Sequence, residues 1–192
     1  MKIGFSVEGS TDRALIEGLR ERWCPQAILV EGHFRGTTGQ SRRREIPRVC
    51  QELQQKSVAL IIFLTDSNGP DWRQVQTVER ARCQPQYEHL AIFAVCLRNV
   101  ECWLAADPDH IANRFGRQRI KFTVEDPKGE VESAFGITRL DRREKEIAEF
   151  VRVAPLQQWL RNQSFEDFFE QLWSKSRELG CTIENLRERR PP

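Results

Sequence analysis

No stretch of this 192-residue chain approaches the roughly 20 consecutive apolar residues that a bilayer-spanning helix requires. The longest apolar runs, Val58–Leu64 and Leu90–Leu97, have the length of buried strands. A signal-peptide cleavage pattern is lacking, and Met1–Phe5 is read as entering structure at once. The six cysteines, at 24, 50, 83, 96, 102 and 181, include no C-x-x-C pair and no Cys/His cluster of zinc-finger form. They are therefore expected to be free thiols in a reducing cytoplasm. Internal repeats, a clear linker and low-complexity tracts are also missing. Lysine is scarce. The 30 basic residues are mostly arginine, a planar fork suited to phosphate, and 28 acids leave a net charge of +2. That balance neither demands nor excludes nucleic acid. With 39% hydrophobic and 30% charged residues, the composition is that of a globular protein.

Some catalytic motifs are missing too. There is no G-x-x-x-x-G-K-[ST] loop, and Gly36-Thr37-Thr38-Gly39 does not substitute for one, so ATP hydrolysis by this chain alone is not expected. No G-x-S-x-G nucleophile elbow occurs. His33, His89 and His110 are far apart, with no metal-ligand spacing between them, and read as surface or packing residues.

What is present is an alternation of strand and helix. Strands are expected at Lys2–Val7, Ala27–Val30, Val58–Thr65 and Ala91–Leu97, and helices from Ser10 to Trp23, Arg42 to Lys56 and Trp72 to Cys83. Continuous apolar strands separated by helices imply a mainly parallel sheet covered on both faces, a Rossmann-like α/β fold. From Asn99 onward the pattern turns helical. Ile120–Val124 reads as a short extended segment. Ser164–Leu179 is the clearest helix, with Ser164 as its expected N-cap and Phe165, Phe168, Phe169, Leu172 and Trp173 at helical spacing. The expected organisation is an α/β core over residues 1–115 and a mainly helical extension over 116–192, packed together as one domain.

Chemistry-bearing residues fall where such a fold places its sites, beyond the C-terminal ends of the strands. Glu8 lies in Val7-Glu8-Gly9-Ser10-Thr11-Asp12, between a strand and a helix. Its plainer reading is a surface residue, with Asp12 supporting the helix start. Asp66 follows an apolar strand and opens Asp66-Ser67-Asn68-Gly69-Pro70-Asp71. Asp66, Asn68 and Asp71 offer hard oxygen ligands of the kind magnesium or manganese prefers. The alternative is an ordinary Asn-Gly-Pro-Asp turn. Glu101 follows the last strand, in Arg98-Asn99-Val100-Glu101-Cys102-Trp103. Arg35, Arg42 and Arg43, after the second strand, together with Arg98 and Lys128, are candidate phosphate contacts.

Strand-Glu8-Gly9-x-Thr11-Asp12-helix followed by strand-Asp66-x-Asn68 resembles the Toprim domain, whose pattern is a glutamate after the first strand and an Asp-x-Asp pair after a later one. Here the second acid of that pair is Asn68. Glu101-Cys102-Trp103-Leu104-Ala105-Ala106-Asp107, Asp126-Pro127-Lys128 and Asn162–Phe168 are similar to stretches of a family of small bacterial Toprim-like proteins, domain of unknown function 4276. The resemblance covers nearly the whole chain in order. It implies a Toprim-like fold with a helical C-terminal addition, with Glu8, Asp66 and Glu101 as catalytic acids and Glu8, Asp66, Asn68 and Asp71 around Mg2+ or Mn2+. The function it implies is a metal-dependent nuclease of the overcoming-lysogenization type acting on nucleic acid. It also implies a cytoplasmic, bacterial setting, with a partner ATPase in phage defence and the option of oligomerisation. The alternative is a catalytically silent Toprim-like module that recruits a partner protein through exposed apolar residues on its C-terminal helices.

Overall fold

Four short apolar segments pair in parallel because each is followed by a helix that returns the chain to the same end of the sheet. In the computed structural model of the chain, residues 1–35, 39–115, 127–135 and 140–181 are described. The strands are β1 (Lys2–Ser6), β2 (Ile28–Glu31), β3 (Leu60–Asp66) and β4 (Ala91–Cys96), in the spatial order β2-β1-β3-β4. Every pairing is parallel, with Ile3 opposite Leu60 and Ile61 opposite Ala91. Order reverses between β1 and β3. In open parallel sheets a crevice forms beyond the strand ends at that point.

Helices α1 (Ser10–Trp23), α2 (Gly39–Gln55) and α3 (Trp72–Arg80) carry the crossovers, and a single turn, α4 (Pro85–Glu88), leads into β4. Beyond β4 lie α5 (Glu101–Leu104), α6 (Pro108–Phe115), α7 (Pro127–Phe135), α8 (Leu140–Val153), α9 (Leu156–Trp159) and α10 (Gln163–Glu178). The expected α/β fold is therefore present. Alternation along β3 divides the interior in two. Leu60, Ile62 and Leu64 face a large core with α1 and the C-terminal helices. Ile61 and Phe63 face a smaller one with Ile46, Val49 and Leu53 of α2. Helices α1 and α8 approach so closely that a Cβ at Gly18 would lie 2.5 Å from the Ala148 carbonyl oxygen.

Helix α10 is anchored at both ends. Asn162, not Ser164, is its N-cap, accepting from the Ser164 and Phe165 amides. Ser164, the second residue of the helix, is buried and takes a different role. Its hydroxyl accepts from the Leu97 amide and the Trp103 indole, and donates to Asn162. At the other end, Cys181 is disulfide-bonded to Cys24 at the end of α1. This corrects the expectation of six free thiols. The two cysteines are 157 residues apart in sequence, and only the packing of α10 against α1 brings them together. Cys50, Cys83, Cys96 and Cys102 are free. Among the described residues no helix is long and apolar enough to cross a membrane. The expected extended segment Ile120–Val124 and the residues from Thr182 onward lie outside the described residues.

Candidate active site

Three strand ends and one helix start bring four carboxylates into one another's field. Asp66 is the last residue of β3. It is pushed up to about 8, first by burial and then by the charges of Asp12, Glu8 and Glu101. Asp12, in the first turn of α1, is 4% exposed and pushed up to about 7. Burial dominates there as well, with Glu101 and Glu8 adding repulsion against the hydrogen bonds from the Gly9 and Glu8 amides. Glu101 opens α5 and is buried, and burial raises its carboxyl above the usual range. Glu8 lies just beyond β1, so Glu8, Asp66 and Glu101 all stand at the C-terminal end of the sheet, with Glu8 and Glu101 acting on Asp66.

Each acid is fixed by its local backbone. Asp12 Oδ2 accepts from the Glu8 and Gly9 amides at 3.0 and 2.8 Å, closing the entry to α1. Asp66 Oδ1 accepts from the Val100 amide at 3.0 Å, so β3 holds the turn that presents Glu101. That turn is further stitched to the β3–α3 turn. The Arg98 amide donates to Ser67 Oγ, and the Asn68 amide donates to the Arg98 carbonyl. Asn68 and Arg98 both have left-handed backbones, φ 55° and 63°. Asparagine tolerates that region, whereas arginine adopts it at a cost of about 1 kcal/mol or more.

The basic residues separate into groups. Arg42 is paired with Glu8, Nη1 to Oε2 at 2.9 Å, and its Nη2 donates to the Val7 carbonyl at 2.6 Å, with the guanidinium lying over the Phe34 ring. Lys128, on α7, lies near enough to Glu101 to oppose its rise, and so does Arg143 of α8, which nothing in the sequence singled out. Arg43 lies beside Glu79 at 3.9 Å. Arg35 is exposed in the loop after β2, and Arg98 acts on Cys102. Asp71 is exposed at the start of α3 and is not among the charges acting on Asp66. Asn68 is exposed in its turn.

Two site residues escaped the sequence reading. Asp12 was read as support for the helix start, which it is, but its burial among acids is a tertiary fact. Glu79 is 3% exposed on α3 and pushed up to about 7 by burial, although the Thr65 hydroxyl and Arg43 stabilise its charge. Its signal was available: Glu79 stands seven residues after the buried Trp72, on the face where an apolar residue is expected.

Hard oxygen donors with mutually raised pKa values are the donor chemistry a divalent cation takes. Among the described residues, however, no three His, Cys, Asp or Glu side chains are already gathered as a ligand set. Comparison of the chain with protein-family models, with curated proteins and with solved structures returns no match.

Proposed function

We propose that this protein is a metal-dependent phosphoryl-transfer enzyme, a Toprim-type nuclease acting on nucleic acid in the bacterial cytoplasm. The observation that carries the reading is the convergence of Glu8, Asp12, Asp66 and Glu101 at the switch point of a parallel sheet, with Asp12 and Asp66 pushed up to about 7 and 8. Such a cluster is held at a cost unless a cation or protons offset its charge. Asp66 and Glu8, with Asp12 or Glu101, would hold Mg2+ or Mn2+. The metal would offset charge on the scissile phosphate and lower the pKa of a bound water. Arg42 fixes the Glu8 carboxylate through its own bond to the Val7 carbonyl. Glu8, if not a ligand of the metal, would act as general acid/base. Lys128 beside Glu101 supplies positive charge for phosphate oxygens. A partner ATPase and a role in phage defence belong to the same reading.

The competing module reading expected apolar surface on the C-terminal helices. Among the described residues only Val153 there is a large exposed apolar side chain, while Phe165, Phe168 and Phe169 are buried.

The test is Mn2+- or Mg2+-supported cleavage of single-stranded and duplex DNA and RNA, with and without a co-encoded ATPase. Wild type should cut at least one substrate. Asp66→Asn and Glu8→Gln should lose at least about a hundredfold in rate with native circular dichroism, since each removes a charge that would hold the metal. Asn68→Asp should keep or raise the rate. Absence of cleavage in every arm, with no metal-induced rise in Tm, would overturn the proposal.

A further inference from the structure

Arginine is a poor occupant of a left-handed backbone, yet Arg98 has φ 63° in the turn that leads from β4 to α5. The turn holds it there. Its amide donates to Ser67 Oγ at 2.8 Å and to the Gly69 carbonyl at 3.2 Å, and its carbonyl accepts from the Asn68 amide at 2.8 Å. On residue 98 these bonds use backbone atoms alone. Glycine would make them equally well, without the crowding that a Cβ meets at this φ. What arginine adds is its side chain. Among the described residues the guanidinium of Arg98 has no hydrogen bond and no ion pair. Arg42 and Arg143, by contrast, are taken by Glu8 and Glu132. A free arginine is ordinary on a surface, but one kept where glycine fits better marks a use for the side chain. Its place is the rim of the acidic cluster. Cys96 pairs with Asp66 across the sheet, and the Val100 amide donates to Asp66 Oδ1 at 3.0 Å. Arg98 stands between these two, so its Cα lies within about 7 Å of each of theirs. The Cys102 thiol of α5 feels Arg98 together with Glu101 and Asp66, which puts the guanidinium on the α5 side of the turn.

We propose that Arg98 binds a backbone phosphate of the nucleic-acid strand at the rim of the acidic cluster, and that its left-handed backbone is tolerated for the sake of that contact. The inference rests on the nuclease reading for its ligand class, and it names the residue that holds the strand independently of any metal. A phosphodiester is anionic, and its two free oxygens match the paired N–H groups of a guanidinium. Four carboxylates repel such a group, so the strand needs a cation nearby that no carboxylate has already claimed. Arg98 is such a cation. The stitched turn fixes its Cα, which lowers the ordering cost of the contact. A phosphate contact carries no sequence information, so Arg98 secures affinity and register rather than choice of base.

Binding can be measured apart from cleavage, by fluorescence anisotropy of labelled single-stranded and duplex DNA and RNA oligonucleotides with the full chain, in EDTA and in Ca2+. Arg98→Gly should weaken binding about tenfold, the loss of one charge-assisted contact. It should also lower the slope of log K against log salt by about one. Its Tm should stand at or above that of wild type, by up to about 4 °C, because the strain leaves with the side chain. Arg98→Lys keeps the charge and should keep the salt slope. Arg152→Gln removes the same charge near the C-terminal end of α1, where the Arg152 carbonyl accepts from Arg22, and should bind like wild type. Unchanged binding by Arg98→Gly, an equal loss in Arg152→Gln, or a loss accompanied by a lower Tm would overturn the inference. Wild type that binds no oligonucleotide in either buffer would overturn the nuclease reading and the inference with it. Arg98-dependent binding without cleavage under any metal would overturn the nuclease reading and leave the inference standing.

Discussion

At the scale of single residues, the site is defined by protons as much as by geometry. Asp12 and Asp66 have folded pKa values of about 7 and 8 against an ordinary value of 3.8, and Glu101 is shifted in the same direction. A carboxyl raised on folding makes the folded state bind protons more tightly than the unfolded chain. Its contribution is fully present below the ordinary value and is lost as pH rises through the folded one. The fold should therefore weaken progressively between about pH 4 and 8, most steeply below pH 7, where both groups contribute. His110 works in the other direction, since burial lowers its pKa, and offsets part of the decline below pH 6.5. Thermal melts across the window should show Tm falling. Asp66→Asn keeps an acceptor for the Val100 amide and should flatten the decline. Millimolar Mn2+ should reverse it at the alkaline end by binding the folded state preferentially. A Tm that is flat or rises with pH in metal-free wild type would show that these carboxyls do not carry the charge conflict assigned to them.

At the scale of elements, the sheet was legible because its strands are continuous apolar runs and its helices carry apolar stripes. Val58–Thr65 was expected and Leu60–Asp66 is observed, and the helix expected from Ser10 to Trp23 matches at both ends. Boundaries drifted where side chains decide them. The sequence Asn162-Gln163-Ser164 offers two capping residues, and a preference scale cannot tell which is buried. Asn162 caps, and Ser164 joins α10 to the end of β4 and to Trp103. The indole of Trp103 stacks on Phe168 and meets the edge of Phe165, so this hydroxyl sits where three elements meet. Ser164→Ala would leave the Leu97 amide and the Trp103 indole N–H without partners. The expected loss is about 2 kcal/mol or more, against about 1 kcal/mol for removing the cap with Asn162→Ala. Urea denaturation should rank them in that order, and the reverse ranking would mean that the cap, not the junction, secures α10. Glu79 was hidden for a related reason. A periodic pattern records that a position faces inward, but not which polar groups wait there.

At the scale of the whole molecule, the feature least legible in the sequence is the bridge between Cys24 and Cys181. Neither cysteine belongs to a motif, and their separation of 157 residues offers no local signal. Their meeting follows from α8 and α10 packing back against α1, which places the end of the last described helix beside the end of the first. A bridge across so long a loop stabilises chiefly by restricting the unfolded chain, by about 2–4 kcal/mol in typical proteins. Protein prepared without reductant and unfolded in guanidinium should therefore expose four reactive thiols, those of Cys50, Cys83, Cys96 and Cys102. Prior reduction should raise that number by two and lower Tm by several degrees. Cys24→Ser should melt like reduced wild type and respond no further to reductant. In a glutathione-buffered compartment the same pair would stand open, so the oxidised and reduced forms should also be compared in the cleavage assay. The acidic cluster lies at the C-terminal ends of the strands, and the bridge joins the ends of α1 and α10. Because α1 runs back from the strand ends, its own C-terminus lies at the opposite end of the sheet from Asp12. Reduction should accordingly change stability and leave the cleavage rate at 25 °C within about twofold, the range in which distant sites act independently. A larger change in rate would show that the bridge is coupled to the site.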